Sequence, residues 1–73
     1  MKKITINQED RTFVATRVYN GVEGRETIKI YEQTGKFFKR NKPLGYAVVT
    51  TEDCEDFADV CCKALEVVLN REA

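Results

Sequence analysis

At 73 residues the chain has room for one small domain, and 33% charged residues with 42% hydrophobic residues and a formal net charge of zero give it the balance of a soluble one. The longest uninterrupted apolar stretch, Tyr46-Ala47-Val48-Val49, is far too short to cross a bilayer, and Met1-Lys2-Lys3-Ile4-Thr5 alternates polar and apolar residues where a secretory leader needs an apolar run. A cytoplasmic location is therefore expected, and so little chain makes association with a second copy an expectation from size alone.

The zero total hides an asymmetry. Residues 1–50 hold ten Lys/Arg against five Asp/Glu, a balance of +5, whereas residues 51–73 hold two against seven, a balance of −5. A charged ligand feels such a field locally, not as a whole-chain sum.

The basic part has the pattern of strands. Lys2 to Asn7 alternates with Ile4 and Ile6 on one face. Thr12 to Asn20 sets Val14, Thr16 and Val18 against Phe13, Ala15, Arg17 and Tyr19, and ends at the turn signal Gly21-Val22-Glu23-Gly24. Arg25 to Gln33 puts Ile28 and Ile30 on one side and Thr27, Lys29 and Tyr31 on the other, ending at Thr34-Gly35. The lone proline and the cations of Lys36-Phe37-Phe38-Lys39-Arg40-Asn41-Lys42-Pro43 predict a loop or irregular edge before a last strand from Leu44 to Val49.

The acidic part predicts one helix over about 51–71. Thr50 is placed as its N-cap with Asp53 at the capping-box position, and Glu52, Asp53, Glu55 and Asp56 lie where the helix dipole favours negative charge. Cys54, Phe57, Ala58, Cys61, Ala64, Leu65 and Val68 recur at three- and four-residue steps, the stripe of a helix lying on a sheet. The expected fold is α+β, a curved four-stranded antiparallel sheet followed by one C-terminal helix. A second stripe of Val60, Ala64 and Val67, with Leu69 at its edge, widens the apolar surface beyond what one small sheet covers, which predicts a homodimer with those four residues at the interface. The competing expectation is that both stripes bury in the chain's own core.

Catalysis finds little support. There is no histidine, so neither an ordinary acid/base at neutral pH nor a Ser/His or Cys/His pair can be built, and no glycine precedes a helix in a phosphate-cradling pattern. Cys54, Cys61 and Cys62 are an odd set with an adjacent pair, which argues against a disulfide framework and against a zinc site; they are expected as reduced small hydrophobes. No enzyme activity, metal or cofactor is expected.

The outward sheet face is more informative. If Val14, Val18, Ile28 and Ile30 face the helix, then Phe13, Arg17, Tyr19, Lys29 and Tyr31 face solvent, and the segment from Lys36 to Lys42 adds four cations around Phe37 and Phe38. Cations that track phosphates beside flat surfaces that stack bases are what a single-stranded nucleic acid needs. Aromatics paired across strands for stability alone would give the same pattern.

Val14-Ala15-Thr16-Arg17-Val18-Tyr19-Asn20-Gly21, then Gly24-Arg25-Glu26-Thr27-Ile28-Lys29-Ile30-Tyr31, the Gly35 turn, a cationic Lys/Pro segment closing on Gly45-Tyr46-Ala47-Val48, and a Thr-Glu-Asp helix opening together resemble the positive cofactor four family of transcriptional coactivators. The resemblance spans roughly residues 13–69 on short motifs. It implies a dimer of four-stranded sheets, each backed by a C-terminal helix, binding single-stranded DNA in antiparallel channels. Carried over, Arg17 and Tyr19 match a family arginine and strand-end aromatic, Asn20 stands where a DNA-contacting lysine is usual, and Arg25 matches the basic residue after the glycine. Tyr31 stands at a family arginine and Lys29 at a family aspartate. Leu44 replaces a lysine whose charge Lys39, Arg40 or Lys42 can supply, and Phe37 stands in for a missing tryptophan. Short chains of this kind resemble those of bacteria and bacteriophages, for which the location would be the host cytoplasm.

The expected function is dimeric, weakly sequence-specific binding of single-stranded DNA in replication, recombination or transcription, through Arg17, Tyr19, Asn20, Arg25, Lys29, Tyr31, Phe37, Lys39, Arg40 and Lys42, with replication or transcription proteins as further partners. The alternative is a small adaptor whose basic face docks an acidic protein.

Overall fold

A computed structural model describes residues 3–18, 23–35 and 37–72. Four strands, β1 (Lys3–Gln8), β2 (Arg11–Val18), β3 (Arg25–Thr34) and β4 (Arg40–Thr50), form one antiparallel sheet in the order β1-β2-β3-β4. A single turn of 3₁₀ helix, Thr51–Asp53, leads into α1 (Phe57–Glu72), which lies chiefly across β3 and β4. The α+β fold expected from the pattern is the one observed. No described helix is long and apolar enough to cross a membrane.

The register fixes which side chains share a face. Ile4 pairs with Ala15 and Ile6 with Phe13, Ala15 pairs with Ile30, and Ile28 with Ala47. All of these point at α1, whose Val60, Cys61, Ala64, Leu65 and Val68 close the core over Phe13, Ala15, Ile28, Ile30, Ala47 and Val49. Phe13 is 0% exposed, so β2 has the opposite phase to the one expected from its sequence. Because side chains alternate with period two, that single choice of phase exchanges the whole strand between faces. Phe13, Ala15 and Arg17 look toward the helix, and Val14, Thr16 and Val18 look away.

Two boundaries also differ. β4 starts at Arg40, so the predicted irregular edge is an edge strand, in which Ile30 pairs with Gly45 and Tyr31 with Pro43, leaving Leu44 as an extra residue in a bulge. Proline is tolerated here because β4 has no neighbour on its far side and needs no ladder hydrogen bond there. The α-helix starts at Phe57, later than the expected 51, and Thr50 makes no capping hydrogen bond. Asp56 caps it instead: the Asp59 amide donates to Asp56 Oδ1 at 2.9 Å, while Asp59 Oδ2 accepts from the Glu55 amide at 3.2 Å.

Val60 and Ala64, expected at a dimer interface, are 4% and 0% exposed within the single chain, and Leu69 packs against the core. Val67 keeps 40% of its surface exposed. The second stripe is therefore largely consumed by the chain's own sheet, since α1 lies across β3 and β4 and buries more than one narrow stripe.

α1, at 16 residues, is about 24 Å long, whereas β4, at 11 residues, is about 36 Å. The helix therefore leaves one end of the sheet bare. Arg71, in its last turn, donates to the Tyr46 carbonyl at 2.6 Å, so the hairpin formed by the far ends of β3 and β4 projects past α1. The acidic residues around the 3₁₀ turn sit at the other end, where the Thr51 amide donates to the Gly24 carbonyl. Negative charge thus collects at one end of a molecule measuring 40 × 26 × 19 Å, and Lys39, Arg40 and Lys42 collect at the opposite end.

Candidate functional site

Alternation along the four strands gives the face turned away from α1 a distinct composition. Its strand positions are Lys3, Thr5 and Asn7 from β1; Thr12, Val14, Thr16 and Val18 from β2; Arg25, Thr27, Lys29, Tyr31 and Gln33 from β3; and Asn41, Pro43, Tyr46, Val48 and Thr50 from β4. None of these described positions is an aspartate or glutamate. The strand carboxylates Glu26 and Glu32 both lie on the helix-bearing face, each against an arginine of β2.

Lys29 is the centre of the outer face. Its Nζ stands 5.0 Å from the Tyr31 ring centroid and 5.3 Å from that of Tyr46, its direct cross-strand partner. Both distances are within the range of cation–π attraction. Hydrogen bonding to the side chain of Tyr31, then to that of Tyr46, holds the Lys29 ammonium above its ordinary pKa against the opposing effect of desolvation. The cation therefore persists throughout the neutral range. Tyr46 remains 49% exposed and Val48 62% exposed, so a flat apolar surface lies open beside the charge. Thr16, across the sheet, donates to the Lys29 carbonyl at 3.4 Å and steadies the strand beneath.

Of the predicted site residues, Arg25, Lys29 and Tyr31 share this outer face. Arg17 does not. It lies on the helix-bearing face, with Nε 2.9 Å from Glu26 Oε2 in an ion pair whose N–H is not aligned for a hydrogen bond, and with its guanidinium 5.0 Å above the Phe57 ring. Its Nε is buried beside Glu26 while the side chain as a whole stays 39% exposed, so the stem can cover the end of the core and the rest of the head still reaches the surface, which is why an arginine is accepted on the inward phase of β2. Tyr19 and Asn20 lie outside the described residues.

The cationic segment also divides from the aromatic face. Arg40 pairs with Thr34 and Lys42 with Glu32, positions in phase with Phe13, so their side chains project on the helix-bearing side, beyond the end of α1. There Arg11 binds Glu32 through two bonds, Nε to Oε2 at 3.0 Å and Nη2 to Oε1 at 2.8 Å, which holds the Glu32 carboxyl below its ordinary range. Lys39 borders the same surface, and Phe37 and Phe38 stand at the tip, 92% and 82% exposed.

The sequence reading missed Tyr46 and Val48. The signal was present in the alternation of Tyr46 and Val48 with Ala47 and Val49, but valines in both phases leave the choice of face open. Gly45 decides it, because Val68 of α1 lies over that glycine, which places Gly45, Ala47 and Val49 inward.

The cysteines are dispersed. Cys61 is fully buried and desolvation pushes its thiol up to about 11, Cys62 is exposed, and Cys54 donates to the Thr50 carbonyl at 3.6 Å. Among the described residues, no group of three His, Cys, Asp or Glu is arranged to hold a metal ion.

Compared with family models, curated proteins and solved structures, the chain matches none of them.

Proposed function

We propose that the protein binds single-stranded nucleic acid, DNA in the first instance, along the outer face of its sheet, with Tyr31 and Tyr46 as stacking surfaces and Lys29, Arg25 and Lys3 as phosphate partners. The observation that carries this reading is the sorting of charge: the outer strand positions hold three cations, two tyrosines and no carboxylate, whereas both strand carboxylates lie opposite and are paired. A solvated face selected for solubility alone carries both signs; a face freed of acids and lined with rings suits an unpaired polyanion. The likeness to the positive cofactor four family supports the same reading.

A second copy is the proposed partner of the chain. Val48 and Val67, both exposed, line one groove with Thr50, Asp53, Lys63 and Glu66 beside the edge strand β4, and the mixed charges of that groove suit self-pairing. Replication, recombination and transcription are the settings in which such a binder acts.

The test is a fluorescence-anisotropy titration of labelled single-stranded DNA, duplex DNA and RNA at several salt concentrations. Single strands should bind most tightly, and each phosphate contact should add about −0.7 to the slope of log affinity against log salt. Lys29→Ala should flatten that slope. Equal, salt-independent affinity for all three ligands, or none, would refute the proposal.

A further inference from the structure

At the far end of the β3–β4 hairpin Phe37 and Phe38 are adjacent and almost wholly exposed, although burying either would have stabilised so small a fold. The turn that presents them is specific: Gly35 has φ +100°, and a Cβ there would overlap the Phe38 carbonyl oxygen, so the backbone closes too tightly for any side chain at that position. The segment 35–43 carries four Lys/Arg and no Asp/Glu. Among its described residues Lys39 adjoins Phe38, and Arg40 and Lys42 follow Phe38 by two and four residues, at most about 7 and 14 Å of chain. On the outer face the positions nearest the tip, Gln33, Asn41 and Pro43, are uncharged. The opposing charges beside the tip are Glu32, which Arg11 holds, and Glu9 and Asp10 of the β1–β2 turn, two strand spacings or about 10 Å to the side of β4.

From this juxtaposition we infer that the hairpin tip docks on an anionic membrane surface: Phe37 and Phe38 enter the boundary between headgroups and acyl chains, while Lys39, Arg40 and Lys42 hold the anionic headgroups. The inference stands apart from the function proposed for the outer face, which runs back from the tip and stays open to solvent in this pose. Interfacial elements place their apolar part about 5–10 Å into that boundary, so rings at the apex put Lys39 and Arg40 at headgroup depth and leave Lys42 within reach on its long stem. A base stacks on a ring that lies flat on a sheet, as Tyr31 and Tyr46 do, and a folded partner needs a cavity matched to the rings it receives. A fluid interface takes protruding rings in any arrangement, and these two touch very little of their own chain. The rest of the charge pattern agrees. The acids around the 3₁₀ turn lie at the opposite end of a molecule 40 Å long, several Debye lengths from a surface touched by the tip, so they add little repulsion in this orientation.

The experiment is co-sedimentation with phosphatidylcholine vesicles, with and without phosphatidylserine, comparing the parent with a Phe37→Ser/Phe38→Ser double variant and a Lys39→Gln/Arg40→Gln/Lys42→Gln triple variant, all checked by thermal melting. The parent should partition onto the anionic vesicles far more than onto the neutral ones and be released as salt is raised. Each cation near such a surface is worth about fivefold in partitioning, so the triple variant should lose roughly tenfold or more, and the double variant should lose roughly as much through its missing rings. Phe38→Trp, which gives the chain its only tryptophan, adds a direct reading: its emission should shift to the blue on anionic vesicles and be quenched by lipids brominated near the headgroup end of their chains. No binding, equal binding to both kinds of vesicle, binding that survives the double substitution, or an unshifted tryptophan overturns the inference. So does a loss of oligothymidine affinity in the double variant with vesicle binding unchanged, which assigns the tip to nucleic acid. Oligothymidine titration of the parent, run alongside, reports on the outer face by itself, so either proposal can fail without the other.

Discussion

Tyr46→Ala separates stacking from packing because the two effects have different sizes. About half of the side chain is already in contact with its surroundings, its cross-strand neighbour Lys29 among them. Truncation therefore removes a cross-strand contact and part of a ring's burial, about 1–2 kcal/mol of stability. For a domain of this size that lowers the melting temperature by about 4–15 °C. Even if the parent has only ~3 kcal/mol of stability and the variant ~1, more than roughly four-fifths of the variant stays folded, so unfolding alone would weaken apparent binding by about a fifth. A lost base stack is worth about 1–3 kcal/mol, which is roughly 5- to 150-fold in affinity. Anisotropy with labelled oligothymidine, read well below the melting temperature, resolves these outcomes, and Tyr46→Phe should retain most of the affinity because the ring remains. Parent-like affinity in folded Tyr46→Ala would refute the stacking role.

Phe13→Ala should cost about 3–5 kcal/mol, enough to unfold most of the chain, and urea titration followed by circular dichroism will show it; a loss under about 0.5 kcal/mol would mean that β2 has the opposite phase. Asp56→Ala should cost about 1 kcal/mol through loss of the helix cap, whereas Thr50→Ala, which removes no capping bond, should cost much less; the same urea titrations compare them. Arg11 depresses the folded-state pKa of Glu32, so the stability this pair contributes is complete above the unfolded carboxylate value of about 4.3 and disappears as pH falls through the lower folded value. The difference in urea midpoint between the parent and Glu32→Gln should accordingly be largest near neutrality and vanish in strong acid. Val67→Asp should shift sedimentation toward the monomer if the groove beside β4 joins two copies.

The architecture was legible because its signals are redundant: three alternating segments, the second and third each closed by a glycine turn, then a helical stripe. Phase was not, because β2 carries apolar residues on both sides. The arginine that looks like a surface marker, Arg17, sits at the end of the core, where Phe57 and Glu26 receive its guanidinium. The start of β4 was obscured by Pro43 and its cations, residues that weaken a central strand and suit an edge. At the helix start, several neighbouring acids can each serve as a cap, and only the three-dimensional path selects the Asp56–Asp59 pair. For the candidate site, Lys29 and Tyr31 were readable from the alternation of β3 alone. Tyr46 required the helix to show which side of β4 was covered.

The acids around the 3₁₀ turn and the cations Lys39, Arg40 and Lys42, at opposite ends of the sheet, give this formally neutral chain an electric dipole along β3, about 30 Å of strand, which Glu32 and Asp10 at the cationic end and Arg25 at the acidic end reduce. A dipole has no net pull toward a distant polyanion, but it turns in the field gradient near one, so approach is end-on and the hairpin arrives first. Attraction of this kind fades within about a Debye length, some 8 Å at physiological ionic strength, so the orienting torque acts only in the last moments of an encounter. The same geometry gives one molecule two chromatographic characters: at low salt near neutral pH its acidic pole is held by an anion exchanger and its basic pole by a cation exchanger.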